Sequence, residues 1–176
     1  MKFVLSAFSD EYSASFDRQI EGLHQNGISF MEIRGVDGKN ISALTAEEVK
    51  ECRRKLDAAG ISVSSVGSPL GKVGLYEGVS GDEDKHIELA KKIFEFAHIL
   101  GTELIRVFSF YLPKGEPREA HRNAVIERMG KMLDAADEAG VILCHENEAA
   151  IYGEAPEACL DLIETFGGRL KLVFDP

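Results

Sequence analysis

A repeating order of amphipathic helix, glycine and apolar strand runs along the whole sequence. Five segments carry apolar residues at helical spacing, end at a glycine and continue into a β-branched or aromatic run. The glycines are Gly27, Gly60, Gly101, Gly140 and either Gly167 or Gly168. A glycine just past the last turn supplies the left-handed conformation that helix C-caps use. With FVLSAF counted as a first strand, the pattern predicts six strands and five helices in strict alternation.

Local signals support single helices within this pattern. Thr45 and Glu48 form a capping box in front of an apolar stripe that begins at Val49. Pro156 stands where a first-turn proline opens the fifth helix. The starts of these helices are therefore predicted by capping and proline signals that do not depend on the spacing of apolar residues.

Strands separated by helices pair in parallel through right-handed crossovers, which leaves an open doubly wound sheet or a (β/α) barrel. A doubly wound sheet would gain from a glycine loop after the first strand, but SAFSDEYSASF contains no glycine. The later stretch VGSPLGKVG fails as a P-loop, because only three residues separate Gly67 from Gly71 and Val73 follows Lys72. We therefore predict an α/β fold of the TIM-barrel type.

The predicted barrel is incomplete. A closed barrel of eight units takes about 250 residues, whereas residues 1–176 reach only a sixth strand. We expect one domain over 1–176 that lacks the last two βα units.

Composition restricts the binding partners and the cellular compartment that we expect for this protein. The net charge of -10 disfavours a nucleic acid partner, because an acidic surface repels phosphates. No stretch approaches the roughly 20 apolar residues that span a bilayer, and no export signal is visible. Cys52, Cys144 and Cys159 lack metal-finger spacing and are interpreted as reduced thiols, which indicates a cytoplasmic protein.

Polar side chains stand at the predicted strand ends. The apolar run that ends at Cys144 continues into His145, Glu146 and Asn147, and the next strand ends at Asp175. Strand alternation puts Glu146 on the same face as Cys144 and His145 on the opposite face. The carboxylates of Glu146 and Asp175, on successive strands, can then converge. Converging carboxylates repel each other, and a divalent cation relieves the repulsion. An ion pair between Glu146 and Arg106 or Lys72 is an equally good interpretation.

Other catalytic motifs are excluded by the residues present. Ala149 stands four positions after His145, so no HExxH zinc motif exists. No GxSxG elbow supports serine hydrolase chemistry. A metal ligand role for His145 is disfavoured by its position on the opposite face.

The motifs at successive strand ends resemble a known family. MEIRG, SVGSPLGKV, IRVFSF, LCHENEAAIYGEAPE and LVFDP follow one another along the chain. In this order they resemble the xylose isomerase-like TIM barrels, specifically the sugar phosphate isomerase/epimerase branch, over essentially the whole chain.

The resemblance implies one divalent metal ion, which is manganese, cobalt, magnesium or zinc. Glu146 matches the first metal ligand of the family and Asp175 the second, and the third and fourth would lie beyond Pro176. It also implies abstraction of a proton beside a carbonyl, through a cis-enediolate, with Glu146 as ligand and acid/base. We expect such a reaction only in a longer chain, because half of the implied metal shell is outside these 176 residues.

The same resemblance suggests residues that hold a sugar or sugar phosphate. Arg106 and Lys72 are candidates for hydroxyl or phosphate contacts, and Glu32 for accepting from a hydroxyl. His145 and Asn147 are further candidates for substrate contacts.

Two other functions remain open. A dehydratase of a cyclitol or a dehydroshikimate-type acid would use the same site. A shortened barrel could instead be a non-enzymatic module that self-associates through its first and sixth strands, so we expect a homo-oligomer. The apurinic endonucleases of the family are rejected, because the third and fourth strand ends offer serine and phenylalanine instead of histidine.

Overall fold

Six parallel strands follow one another in one sheet in chain order, without a reversal. The structure is a computed structural model that describes residues 3–80 and 83–175. The strands are Ser6–Ala7 (β1), Phe30–Ile33 (β2), Ser62–Val66 (β3), Leu104–Val107 (β4), Ile142–Glu146 (β5) and Lys171–Val173 (β6). The sequential order is that of a barrel, because a doubly wound sheet reverses its strand order at a switch point.

Five helices alternate with these strands, as predicted. They are Phe16–Gln25 (α1), Ala46–Ala59 (α2), Lys85–Leu100 (α3), Arg122–Ala139 (α4) and Pro156–Phe166 (α5). Among the described residues, none of these helices has the length and apolar character needed to cross a membrane.

The predicted helix ends are confirmed. The Thr45 hydroxyl accepts from the Glu48 N–H at 3.2 Å, and the Glu48 carboxylate accepts from the Thr45 N–H at 2.7 Å. Gly60 caps α2 with a φ of 66°, and Pro156 occupies the first turn of α5. These contacts satisfy backbone groups that a helix leaves unpaired at its ends.

The first strand is shorter than predicted. Only Ser6 and Ala7 pair with β2, opposite Phe30 and Met31. The apolar residues before them, Phe3, Val4 and Leu5, are exposed.

The chain divides into two compact units. The first runs up to Ser68 and includes Glu95–Leu104. In it, Met31 and Ile33 of β2 are buried, while the alternate residue Glu32 accepts from the Ser65 hydroxyl at 3.2 Å. One face of β2 therefore belongs to the core, and the other carries the half-buried Phe30 and Glu32.

The second unit comprises Pro69–Phe94 and the chain from Ile105 onward. Its segment before α3 runs beside the residues that follow β4, because Phe108 N–H donates to the Leu70 carbonyl at 2.7 Å and Phe110 N–H to the Gly71 carbonyl at 3.1 Å. A Cβ on Gly71 would lie 1.9 Å from the Phe108 carbonyl oxygen, and its φ is +87°. Only glycine fits there, and the close approach of the two segments fixes the position of the next residue, Lys72.

A buried arginine anchors the rest of this segment. Arg128 of α4 donates to the carbonyls of Gly74, Leu75 and Glu77 at 2.8 to 2.9 Å and pairs with Asp84 at 2.7 Å. These bonds fasten the connection between β3 and α3 to α4.

We expect His86 to make stability fall with acid. Its Nε2 accepts from the Gly71 N–H at 2.7 Å, and burial lowers its pKa to about 4. An unfolded histidine takes up its proton near pH 6.5, so between these values the unfolded chain binds more protons and is favoured. The loss from this residue is about 2 kcal/mol between pH 7 and pH 5.

Urea unfolding at the two pH values tests this expectation. The His86→Gln variant should lose about 2 kcal/mol less than the parent on acidification. His98→Gln, an exposed position on the same helix, should behave like the parent. Equal losses in the parent and in His86→Gln would contradict the expectation.

Candidate active site

Glu146 is the last residue of β5, and its side chain lies on the same face of the sheet as that of Val173 in β6. The strands pair in register, with Val173 opposite Glu146 and Leu172 opposite His145. Asp175 lies two residues past Val173, so the alternation that continues from Val173 brings it to the face of Glu146. Burial raises the pKa of Glu146, and the negative charge of Asp175 raises it further.

Arg106 of β4 is the cation next to Glu146. Its Nη1 lies 3.4 Å and 3.5 Å from the two Glu146 carboxylate oxygens, and both side chains are about nine-tenths buried. The positive charge of Arg106 partly offsets the effect of burial on the Glu146 pKa, which nevertheless stays raised. The ion pair considered for Glu146 is therefore present with Arg106.

Lys72 approaches the same site from the segment before α3. Its ammonium group pairs with Glu148 at 2.6 Å and lies 4.3 Å from the centre of the Phe108 ring. The Arg106 guanidinium carbon lies 5.0 Å from the same centre. Two cations thus share one aromatic ring.

Phe108 and Glu148 were not among the residues selected from the sequence. A signal for both was available: Phe108 stands two positions after Arg106, and Glu148 two positions after Glu146. Spacing by two predicts a shared face as long as the chain stays extended. Phe110 and Ala150, which follow these segments, have positive φ values of 65°, and such backbone outliers cluster at functional sites.

His145 is fully buried and faces away from the carboxylates of this site. Its Nε2 lies 3.0 Å from the Ser109 hydroxyl oxygen, which also accepts from the Gly153 N–H at 2.7 Å. Burial lowers the pKa of His145 to about 4, so the imidazole is neutral. Within the described ranges its Nδ1 has no hydrogen-bond partner. The network ties β5 to the turn before α5.

Asn147 is bonded to the backbone of Asp175 in both directions. Its side-chain amide donates to the Asp175 carbonyl at 3.0 Å, and its amide oxygen accepts from the Asp175 N–H at 3.2 Å. The remaining candidate, Glu32, belongs to the first unit, where it is half-buried and bonded to Ser65.

The carboxylates present suit a hard divalent cation. Over residues 3–80 and 83–175, no group of three or more histidine, cysteine, aspartate or glutamate side chains is arranged around a common point. Magnesium, however, binds proteins through one or two carboxylates and keeps waters or substrate oxygens in its other positions. Glu146, at the end of β5, and Asp175, two residues past the end of β6, are two such carboxylates.

The fold is shared with a known family and with solved structures. The sequence profile of the family described as "Xylose isomerase-like TIM barrel" matches residues 20–176. Among curated protein sequences, none matches significantly. The predicted TIM-barrel type of fold is thereby confirmed.

Three solved structures illustrate the likeness. The probable 3-DHS dehydratase AsbF of Bacillus anthracis has 18% identity and a TM-score of 0.73, over 98% of this chain and 62% of its own. IolI, solved with a bound zinc atom, has 16% identity and a TM-score of 0.73, over 99% of this chain and 63% of its own. An L-ribulose 3-epimerase has 17% identity and a TM-score of 0.68, over 98% of this chain and 60% of its own.

The chain therefore spans less than two thirds of the length of these three proteins. At such identities the likeness to solved structures concerns the fold, while the family profile covers most of the sequence. The chain belongs to the xylose isomerase-like TIM barrel family.

Proposed function

We propose that this chain provides part of the active site of a metal-dependent sugar or sugar phosphate isomerase/epimerase. The observation that carries the proposal is the buried Glu146, which has a raised pKa and lies on the same face as Asp175. A buried carboxylate with a raised pKa at the carboxyl end of a barrel strand is typical of catalytic positions.

Glu146 acts as the base in this proposal. Burial raises its pKa, so the carboxylate is a stronger base than an exposed glutamate. It removes the proton from the carbon beside the substrate carbonyl, which leaves a cis-enediolate. In an isomerase it then delivers that proton to the neighbouring carbon, whereas in an epimerase a second acid would deliver a proton from the opposite face of the substrate. Arg106, 3.4 Å away, acts against the effect of burial and favours the ionised form of Glu146.

Cationic and polar groups hold the substrate. Lys72 and Arg106 bind its hydroxyls or phosphate, and contact with the Phe108 ring helps to keep the two cations in place. His145, which is neutral and buried, supports the strand that carries Glu146. Glu32, in the first unit, is proposed separately as an acceptor from a hydroxyl.

Glu146 and Asp175 hold the metal ion, which is manganese, cobalt, magnesium or zinc. When bound, such an ion polarises the substrate carbonyl and makes the neighbouring proton more acidic. The zinc atom in IolI supports a divalent metal in this family.

We expect Glu146→Gln to weaken Mn²⁺ binding at least tenfold and to abolish epimerisation, because the amide is neither an anionic ligand nor a base. Both effects are measured in a longer chain that contains residues 1–176 and completes the barrel: isothermal titration with MnCl₂ measures the first, and turnover of ketoses measures the second. Glu148→Gln is the matched control. It removes a nearby carboxylate that pairs with Lys72, and it should leave Mn²⁺ binding within about twofold. Unchanged Mn²⁺ binding and turnover in Glu146→Gln would remove the basis of the proposal.

A dehydratase is the second candidate, and the likeness to a probable 3-DHS dehydratase supports it. The same base would remove a proton beside the carbonyl of a cyclitol or dehydroshikimate-type acid. The resulting enolate would then expel a β-hydroxyl as water.

The two enzymes differ in their products. A dehydratase would generate a conjugated product from 3-dehydroshikimate, which we would detect as growing ultraviolet absorbance that Glu146→Gln abolishes. An epimerase would produce no such absorbance and would instead exchange the substrate proton with solvent deuterium. Absorbance growth without ketose turnover would favour the dehydratase.

We further propose a cytoplasmic protein that binds a small molecule, does not bind nucleic acid, and self-associates. The net charge of -10 supports the proposal that the protein does not bind nucleic acid. Self-association is supported by an apolar groove of about 280 Å³ between α5 and β6, next to the exposed Leu172 and Phe174. In the third candidate function, a non-enzymatic module, this association would be the whole role.

We expect a species larger than the monomer in size-exclusion chromatography with light scattering. Replacing Leu172 and Phe174 by aspartate should convert it to monomer, because charges in an apolar contact are costly to bury. A clean monomer of the parent chain at micromolar concentration would contradict self-association.

A further inference from the structure

The backbone pairing of β5 with β6 ends one residue before Asn147. The last paired residues are Glu146 and Val173. Beyond them, the Asn147 side chain replaces backbone pairing: it donates to the Asp175 carbonyl and accepts from the Asp175 N–H. The amide thus reproduces the two hydrogen bonds that a neighbouring strand would offer.

This arrangement uses both ends of the asparagine amide. The two distances, 3.0 Å and 3.2 Å, involve the carbonyl and the N–H of the same residue. Aspartate lacks the donor, and an aliphatic side chain lacks both groups. Two bonds to one residue restrict its backbone rotation, and this restriction sets the direction in which the Asp175 Cβ points.

Asp175 needs such support because little else restrains it. It follows the last residue of β6 and is exposed, as is Phe174 before it. Glu146, in contrast, is held within a strand and beside Arg106. Of the two carboxylates on this face, only Asp175 depends on a side chain to orient its backbone.

We propose that Asn147 is a positioning residue that acts through Asp175. It holds the Asp175 backbone so that the carboxylate stays on the face of Glu146, where both serve one divalent cation. This inference rests on the proposed metal site, but the positioning itself is measurable without metal. Groups that orient metal ligands change metal affinity by roughly 10- to 100-fold when they are removed.

A double-mutant cycle on Mn²⁺ affinity, with that same longer chain as the parent, tests the inference. We expect Asn147→Ala to weaken Mn²⁺ binding about tenfold in the parent, and less than about twofold in a chain that already carries Asp175→Asn. Asn147→Ser, which is too short to reach both backbone groups, should match Asn147→Ala. Asn123→Ala, at an exposed position of α4, is the control and should leave affinity unchanged.

Amide order parameters from nitrogen relaxation supply the metal-free readout. In Asn147→Ala the order parameter of the Asp175 amide should fall, while that of the Val173 amide, within β6, stays at the parental value.

The outcomes separate this inference from the proposed function. Equal weakening of Mn²⁺ binding with and without Asp175→Asn would overturn the inference, since Asn147 would then act by another route. A parent that binds no Mn²⁺ would overturn the proposed metal site, and the Asp175 amide would still decide the positioning role. An unchanged Asp175 order parameter in Asn147→Ala and Asn147→Ser would overturn that role.

Discussion

The central constraint in this structure is the burial of one carboxylate at the end of an apolar strand. An ionised carboxylate removed from water costs several kcal/mol unless a partner compensates it. Glu146 has Arg106 as that partner, yet its pKa stays raised. Incomplete compensation is what makes the group a candidate for proton transfer or metal binding, because either event relieves the remaining cost.

The surroundings of Glu146 are held by contacts that have no direct part in chemistry. Gly71 allows the segment with Lys72 to lie against the backbone at Phe108, and His86 and Arg128 fasten that segment from α3 and α4. The Ser109–His145 contact does the same for the turn that follows β5. A site that must hold several charges in place depends on such support, since loosely held groups lose their geometry.

Family membership restricts the fold more closely than the reaction. The proteins of similar fold include a probable dehydratase and an epimerase, and one fold commonly serves several reactions. In the proposed function both reactions begin with removal of a proton beside a carbonyl, and Glu146 is the base that removes it. The groups that hold the substrate decide which product forms, and in the proposed function Lys72 and Arg106 have that role.

Much of this architecture could be predicted from the sequence because it depends on neighbours along the chain. The glycine after each helix, the capping box at Thr45 and the proline that opens α5 are local signals, and the structure has all three. Strand periodicity likewise placed Glu146 and His145 on opposite faces. The length of β1 was overestimated, since an apolar run says nothing about where a partner strand begins.

The pairing of side chains was decided only by the tertiary structure. From the sequence, Arg106 and Lys72 were equal candidates for an ion pair with Glu146. In the structure Arg106 pairs with Glu146, and Lys72 pairs with Glu148. The bonds between Asn147 and Asp175 join residues 28 positions apart, and they depend on the register of β5 and β6. The sequence by itself therefore determined the elements and the faces of their strands, because these follow from local geometry. Which charges meet was decided by strand register and by the path of the loops, which arise only when distant segments pack together.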